Sequence, residues 1–355
     1  MARAITKAAL MVSDDPGSNS VSQPIDEPLQ FKSTLRPQVW GGSMLAEQFG
    51  KAGDPGTPIG ESWEISGLPE NASVVAGGTF AGRTLAELWD QDVAGDRKQT
   101  SRFPLFIKWL DCQKDLSVQV HPNDRVASEM LGQASGKSEA WIVVHAEPTA
   151  RVYAGLKEGV TEQELISRLD NGTVAECLHS FVPQVGDCIS LPAGTVHSAG
   201  GGVVFAEVQQ PSDVTFRLFD WNRVGLDGQP RQLHRDMALK SITWPQGPVW
   251  PSVPRQIVSV AGCRCESLLR TCDFELDRYT LQATMAQPRP GEMTIWMVLG
   301  GTAILDHPTH GSQTLPRGST MLMPAGIRNA KWSSAEAGKS CQLLCVRLPQ
   351  APHGE

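Results

Sequence analysis

Residues 186–199 read GDCISLPAGTVHSA, and residues 318–331 read GSTMLMPAGIRNAK. Both place Pro-Ala-Gly at the same distance after an opening glycine, and the offset of 132 residues holds through both stretches without a gap. A short apolar run, a tight turn and a second run are what a strand–turn–strand unit needs. Two copies at a fixed offset imply two units of one β-barrel type within the chain. His197 of the first copy becomes Asn329 in the second. The first unit is therefore expected to carry a polar site, and the second to lack it.

Outward from these copies the text stays strand-like. From Leu29 short apolar runs alternate with turn marks at Pro37, Gly41, Gly42, Pro55, Gly77 and Gly78. Strands are expected on both sides of a polar turn at 111–115, then over 138–144, 151–154, 188–191, 203–209 and 214–219. Helices are expected at 84–92, where Leu85, Leu88 and Trp89 share a face, and over 161–180, where Thr161 and Glu164 have capping-box spacing. Residues 1–27 lack periodicity and read as a mobile tail. Residues 28–243 read as the first, metal-binding unit, and 255–355 as a second unit without metal. Four prolines in 244–254 make that stretch the expected linker.

Composition narrows the function. The chain has 355 residues, 40% hydrophobic and 19% charged, with 34 Gly and 25 Pro. Such a balance suits a globular, turn-rich protein and opposes a helical bundle. A net charge of −7 argues against a nucleic-acid partner. Neither a membrane span nor a signal peptide is legible, so the expectation is a cytoplasmic protein with no membrane partner. Eight cysteines occur without a CxxC and are expected to be reduced. Cys263 and Cys265 read as neighbours on one strand face rather than as a metal pair.

Gln119 and His121 stand two apart, so on a strand both project from one face. Glu139 opens an apolar run, and His197 follows the Pro-Ala-Gly turn. Two imidazoles, a carboxylate and an amide oxygen can surround one divalent ion. Zinc is the expected metal, with iron, manganese and cobalt also compatible with these donors.

These residues lie in longer motifs: VWGG at 39–42, GESWEIS at 60–66, LSVQVHPND at 116–124, GKSEAW at 136–141, PAGTVHS at 192–198 and SDVTFRLFDWNR at 212–223. In them the chain resembles the type I phosphomannose isomerases, particularly the short bacterial form. The resemblance runs from about residue 29 to 242. It implies a mainly β fold of two cupin-type (jelly-roll) barrels with a small helical insertion. It further implies an aldose–ketose isomerase that interconverts mannose 6-phosphate and fructose 6-phosphate, with one zinc per chain held by Gln119, His121, Glu139 and His197. Lys137, Glu207 and Arg217 match the family's catalytic positions, and Lys108 and Ser117 its substrate-binding ones. Trp63 and Glu64 read as scaffold near the site. The base that takes the C2 proton is left open among Glu207, a metal-bound water and Lys137. An iron cupin oxygenase and a non-catalytic sugar-binding cupin are the competing classes. Oligomeric state is not legible.

Overall fold

Strand alternation sets the architecture. In Val203–Gln209, VVFAEVQ, every side chain is buried, so both faces of the strand meet protein. Phe205 and Val203 belong to one apolar cluster, and Val204, Ala206 and Val208 to another. A strand buried on both faces must lie at the centre of a layered structure.

The computed structural model describes residues 25–51, 53–95, 100–133 and 135–349. Its first sheet has six strands, in spatial order Thr34–Gly42 (β1), Ile59–Ser66 (β2), Phe106–Cys112 (β3), Val203–Gln209 (β10), Glu139–Ala146 (β5) and Cys188–Leu191 (β8). Facing it is a five-stranded sheet: Phe216–Phe219 (β11), Val118–Val120 (β4), His197–Gly200 (β9), Arg151–Leu156 (β6) and Leu178–Phe181 (β7). Leu110, Trp141 and Phe205 of the first sheet share a cluster with Val152, Ala154 and Ala199 of the second.

The C-terminal part repeats the plan. Its six-stranded sheet runs Arg255–Val260 (β12), Cys263–Arg270 (β13), Glu275–Leu281 (β14), Cys341–Arg347 (β21), Thr294–Gly300 (β16) and Thr320–Met323 (β19). Its four-stranded partner runs Met285–Ala286 (β15), Lys331–Ser334 (β20), Thr302–His307 (β17) and Gly311–Pro316 (β18). The strand order of one large sheet maps position by position onto the other, as the 132-residue repeat requires. The fold is mainly β, built of facing antiparallel sheets. The hydrogen-bonded sheets are open, four in number and arranged as two facing pairs.

The two large sheets also pack on each other. Ile107, Trp109, Ile142, Val144, Ala206 and Val208 form one core with Ile295, Met297, Leu344 and Val346. Trp109 Nε1 donates to Thr320 Oγ1 at 3.3 Å, and Arg317 reaches across to the Val144 carbonyl at 2.6 Å.

Short helices decorate the loops. Leu85–Asp90 is capped by Thr84 in a complete capping box with Glu87. The insertion expected over 161–180 is α-helical at Glu162–Asp170 and 3₁₀-helical at Val174–Cys177, and Leu178–Phe181 then returns as an edge strand. Only the Thr161 half of its capping box forms, through the Glu164 N–H. Helices at Met44–Phe49, Asp124–Leu131 and Arg235–Ser241 were not legible in the sequence. Each spans only two turns or so, too short for an apolar stripe to declare itself. Among the described residues no helix is long and apolar enough to cross a membrane.

Two boundary expectations change. Residues 1–24 of the expected tail lie outside the described residues, and at its end Ile25 and Glu27 are buried rather than mobile. Glu27 accepts from the Thr79 hydroxyl and the Phe80 N–H. The expected linker at 244–254 is bound to the first pair of sheets. Val249 and Ser252 donate to the Ala154 and Cys188 carbonyls. Gln246 accepts from the Val196 N–H at 2.9 Å and donates to the Gly194 carbonyl at 2.6 Å. Its prolines lack donors for a ladder, so the segment runs along the sheets and braces the turn before His197. All eight cysteines are free, and the Cys263 thiol donates to the Ala283 carbonyl.

Candidate metal centre and active-site cleft

Two cross-strand rows face each other inside the first pair of sheets. In the six-stranded sheet, Trp63 pairs with Lys108, Lys108 with Glu207, and Glu207 with Trp141. In the five-stranded sheet, Arg217 pairs with Gln119 and Gln119 with His197. Residues directly opposite in antiparallel strands share a face, so each row presents its side chains together. Residues two apart share that face too, which brings His121 beside Gln119 and Glu139 beside Trp141.

Three local devices fix the donors. The Gly194 N–H donates to the His121 carbonyl, tying the end of β4 to the turn that delivers His197. Asn123 caps the following helix through the Val126 N–H. Asp124 then accepts from the Gly136 N–H at 2.7 Å, and Lys137 N–H donates to the Pro122 carbonyl at 3.0 Å. A Cβ at Gly136 would lie 2.6 Å from the Pro122 oxygen, so only glycine lets the GKSE loop close this tightly.

His121, Glu139 and His197 are buried, and their ligand atoms all lie within 4.8 Å of one another. His121 Nδ1 faces the Val214 carbonyl at 2.7 Å, and His197 Nδ1 faces the Thr195 carbonyl at 2.8 Å. Each carbonyl accepts a hydrogen bond from Nδ1–H, which leaves each Nε2 lone pair directed inward. Burial holds both imidazoles below their usual pKa, His197 down to about 4, so they are neutral. Glu139 Oε1 lies 3.3 Å from His197 Nε2 and has no hydrogen-bond partner. Burial pushes the Glu139 carboxyl up, against the pull of Lys137. Positive groups already turn toward these lone pairs: Lys137 Nζ donates to Glu139 and, at 3.1 Å, to His121 Nε2. Neutral imidazoles and a buried carboxylate with an orphaned oxygen, aimed at one point, fit a divalent cation.

Gln119 stands at the edge of this group. Its Nε2 donates to His197 Nε2 at 3.2 Å, and its Oε1 accepts from Ser117 Oγ at 3.1 Å. Lys108 is buried among carboxylates, 3.4 Å from both Glu61 and Glu207 and 3.8 Å from Asp213. Burial alone would lower its pKa, but Glu61 and Glu207 outweigh that and raise it. Glu207 Oε1 accepts from Trp141 Nε1 at 2.9 Å, while its Oε2 is buried without a hydrogen bond. Desolvation opposes its ionisation, yet Lys137 and Lys108 prevail and lower its pKa.

The nine proposed site residues gather in or beside one cleft. The cleft also exposes Glu61, Asp213 and Arg231, which sequence reasoning missed. Glu61 was legible in principle. In GESWEIS it shares a strand face with Trp63, whereas Glu64 points the other way to Lys51 and Ser62. Trp63 Nε1 donates to Glu61 at 2.7 Å.

Facing antiparallel sheets that carry a buried His–Glu–His group define a metal-binding protein of the cupin class. Comparison with known proteins narrows the class. The sequence model of the type I phosphomannose isomerase catalytic domain matches residues 29–137. Mannose-6-phosphate isomerase ManA of Bacillus subtilis (strain 168) is 31% identical over 313 residues, covering 86% of this chain and 95% of that protein. The mannose-6-phosphate isomerase of Streptococcus mutans is 30% identical, covering 85% and 94%. The crystal structure of the Bacillus subtilis mannose 6-phosphate isomerase superposes with a TM-score of 0.83 at 27% identity, covering 91% of this chain and all of that one. The chain belongs to the type I mannose-6-phosphate isomerase family, whose members depend on a metal.

Proposed function

We propose that the protein interconverts mannose 6-phosphate and fructose 6-phosphate, with one zinc ion held by Gln119, His121, Glu139 and His197. The observation that carries this reading is the convergence of two neutral imidazoles and a buried carboxylate beside Lys137 and Glu207, in a chain whose relatives bear that name. Half a turn of the Gln119 amide would offer its oxygen to the ion and its N–H groups to Ser117 Oγ. Amide oxygen and nitrogen are interchangeable in shape, so the turn costs little. Zinc supplies Lewis-acid polarisation of the sugar's carbonyl and hydroxyl oxygens.

The protein's own groups divide the remaining work. Isomerisation moves a proton between C2 and C1 through a cis-enediolate, so it needs a base and a counter-charge for the oxygens. Glu207 is the base: its carboxylate is kept ionised by two lysines, one of which, Lys108, stands 3.4 Å from its Oε2. The Lys137 ammonium stands 3.1 Å from a ligand nitrogen, where it meets charge building on the sugar oxygens. Arg217 adds positive charge from the strand beside Gln119. Lys108 acts on Glu207 rather than on substrate, and Ser117 orients Gln119.

The test is a coupled assay on purified protein. Mannose 6-phosphate is consumed with stoichiometric appearance of fructose 6-phosphate, activity is lost to a chelator, and zinc restores it. Failure of the metal-loaded protein to form fructose 6-phosphate would refute the assignment.

A further inference from the structure

Seven of the twelve large apolar side chains that stand exposed among the described residues fall in two short stretches, 182–185 and 250–260. On β12 these are Ile257, Val258 and Val260, and all six residues of that strand are exposed. Val253, 90% exposed, precedes the strand. Trp250, 62% exposed, stacks on Phe181 at 6.0 Å and meets His179 edge-on at 4.1 Å between ring centroids. Val182 and Val185 follow Phe181 along the chain. The turn that carries Val185 is tied to the C-terminal half: Arg278 donates to the Gly186 carbonyl at 2.8 Å and to Glu266 at 3.0 Å, and Glu266 pairs with Gln256 of β12. One apolar surface thus runs across both halves.

β12 is also an open edge. It pairs with β13 alone, and among the described residues no other backbone hydrogen bond reaches 255–260. An antiparallel edge strand spends only part of its N–H and C=O groups on its neighbour, and the rest face outward. The strand at the same place in the first half, β1, is blunted: it carries Arg36 and Pro37, and its register breaks at Pro37. β12 has a register break between Gln256 and Val258, but it holds no proline or lysine and only one charge, Arg255.

We propose that β12 pairs antiparallel with β12 of a second copy of this chain, across a two-fold axis at Val258. Three observations select this occupant. Open backbone groups call for a strand. Arg255 is the only charge in 250–260, so a highly charged partner finds little to match, whereas the two-fold sets the two Arg255 residues roughly 20 Å apart, beyond the screening length. The exposed apolar area of the patch, on the order of 700 Å² per copy, approaches the ~800 Å² per partner of a standard interface before any polar rim is added. In this pairing Val258 meets its own copy and Val260 lies opposite Gln256. The partner's 261–262 turn is then carried toward Val253 and Trp250, the anchor of the patch.

The experiment is sedimentation velocity on the full-length, metal-loaded chain from about 1 to 100 μM, where an interface of this size associates, read together with amide hydrogen exchange. The parent forms a dimer, and outward amides of 255–260 gain protection as it forms. Val258→Arg places like charges on the axis and raises the dimer Kd by more than about 100-fold. Trp250→Ala raises it by about 10-fold or more. Ile166→Arg, at an exposed site outside the patch, leaves it unchanged. A parent that stays monomeric at ~100 μM would overturn the proposal. So would a dimer that persists in V258R, or one whose 255–260 amides exchange as fast as in the monomer. Should V258R fail to fold, amide protection in the parent decides alone.

Discussion

The two halves of the molecule share a strand order and differ in what the shared positions hold. In the first, the central row reads Lys108, Glu207, Trp141; in the second, the same register gives Asp277, Cys345, Trp296. The tryptophan is common to both, but its N–H has different employment. Trp141 donates to the Glu207 carboxylate, whereas Trp296 donates to Thr294 Oγ1 at 2.9 Å. Thr294 pairs with Arg347 as Glu139 pairs with Gln209. In the second half, Gln287 accepts from Trp332, and Asp277 is matched by Arg347 at 2.8 Å. Asp277 and Gln287 there are answered by protein partners, although Arg347 Nε is buried without a hydrogen bond. The first half leaves carboxylate oxygens of Glu139 and Glu207 without hydrogen bonds. One scaffold thus carries either a packed core or a site, and the choice lies in a handful of inward side chains.

Four experiments press on that contrast. Removing a ligand has the largest effect: His121→Ala or His197→Ala loses metal and activity together, with kcat/KM down by more than about 10³-fold. Full metal occupancy in both variants, measured by elemental analysis, would place the ion elsewhere. Next come Lys137→Met and Glu207→Gln, each expected to lower kcat by about 10²- to 10⁴-fold at near-parental metal content. Turnover within about threefold of the parent would return either residue to a bystander lining a polar cavity. Trp141→Phe removes the N–H that steadies Glu207, and kcat should fall about 3- to 10-fold in steady-state kinetics. No change would mean the indole only fills space. The smallest effect on catalysis belongs to Trp296→Phe in the second half: stability drops by about 1 kcal/mol in urea unfolding, and kcat is unchanged. A fall in kcat there would show that the second half does more than support the first.

Much of this was legible before any coordinates. The 132-residue offset revealed the repeat because a Pro-Ala-Gly turn between strands tolerates few substitutes. Gln119 and His121 announced a shared face through their spacing alone. What escaped notice depends on pairing across distant stretches. Arg231 reaches the cleft from a loop, and Asp213 from the approach to β11, where no period marks a side chain's direction. The proline-rich stretch at 244–254 was read as a linker, and its bonds to the first pair of sheets were not legible because prolines mark an interrupted ladder without showing what the segment rests on. Lys108 was expected as a substrate contact from the family resemblance, and its ion pairs with Glu61, Glu207 and Asp213 join distant stretches that no spacing connects.

The sheet that supplies half of the catalytic row turns its other face into the core shared by the two large sheets. Glu207 looks into the cleft, while its neighbours Ala206 and Val208 look into the other half of the molecule. This restricts how the gene can be cut and recombined. A fragment ending before β12 keeps every proposed ligand and every proposed catalytic group, yet bares Ile107, Trp109, Ile142 and Val144 to water. Such a fragment would meet the cell's proteases and its own copies before it met a sugar phosphate. The C-terminal half, which supplies none of the proposed ligands or catalytic groups, is in effect the lining without which the first half cannot be inherited alone.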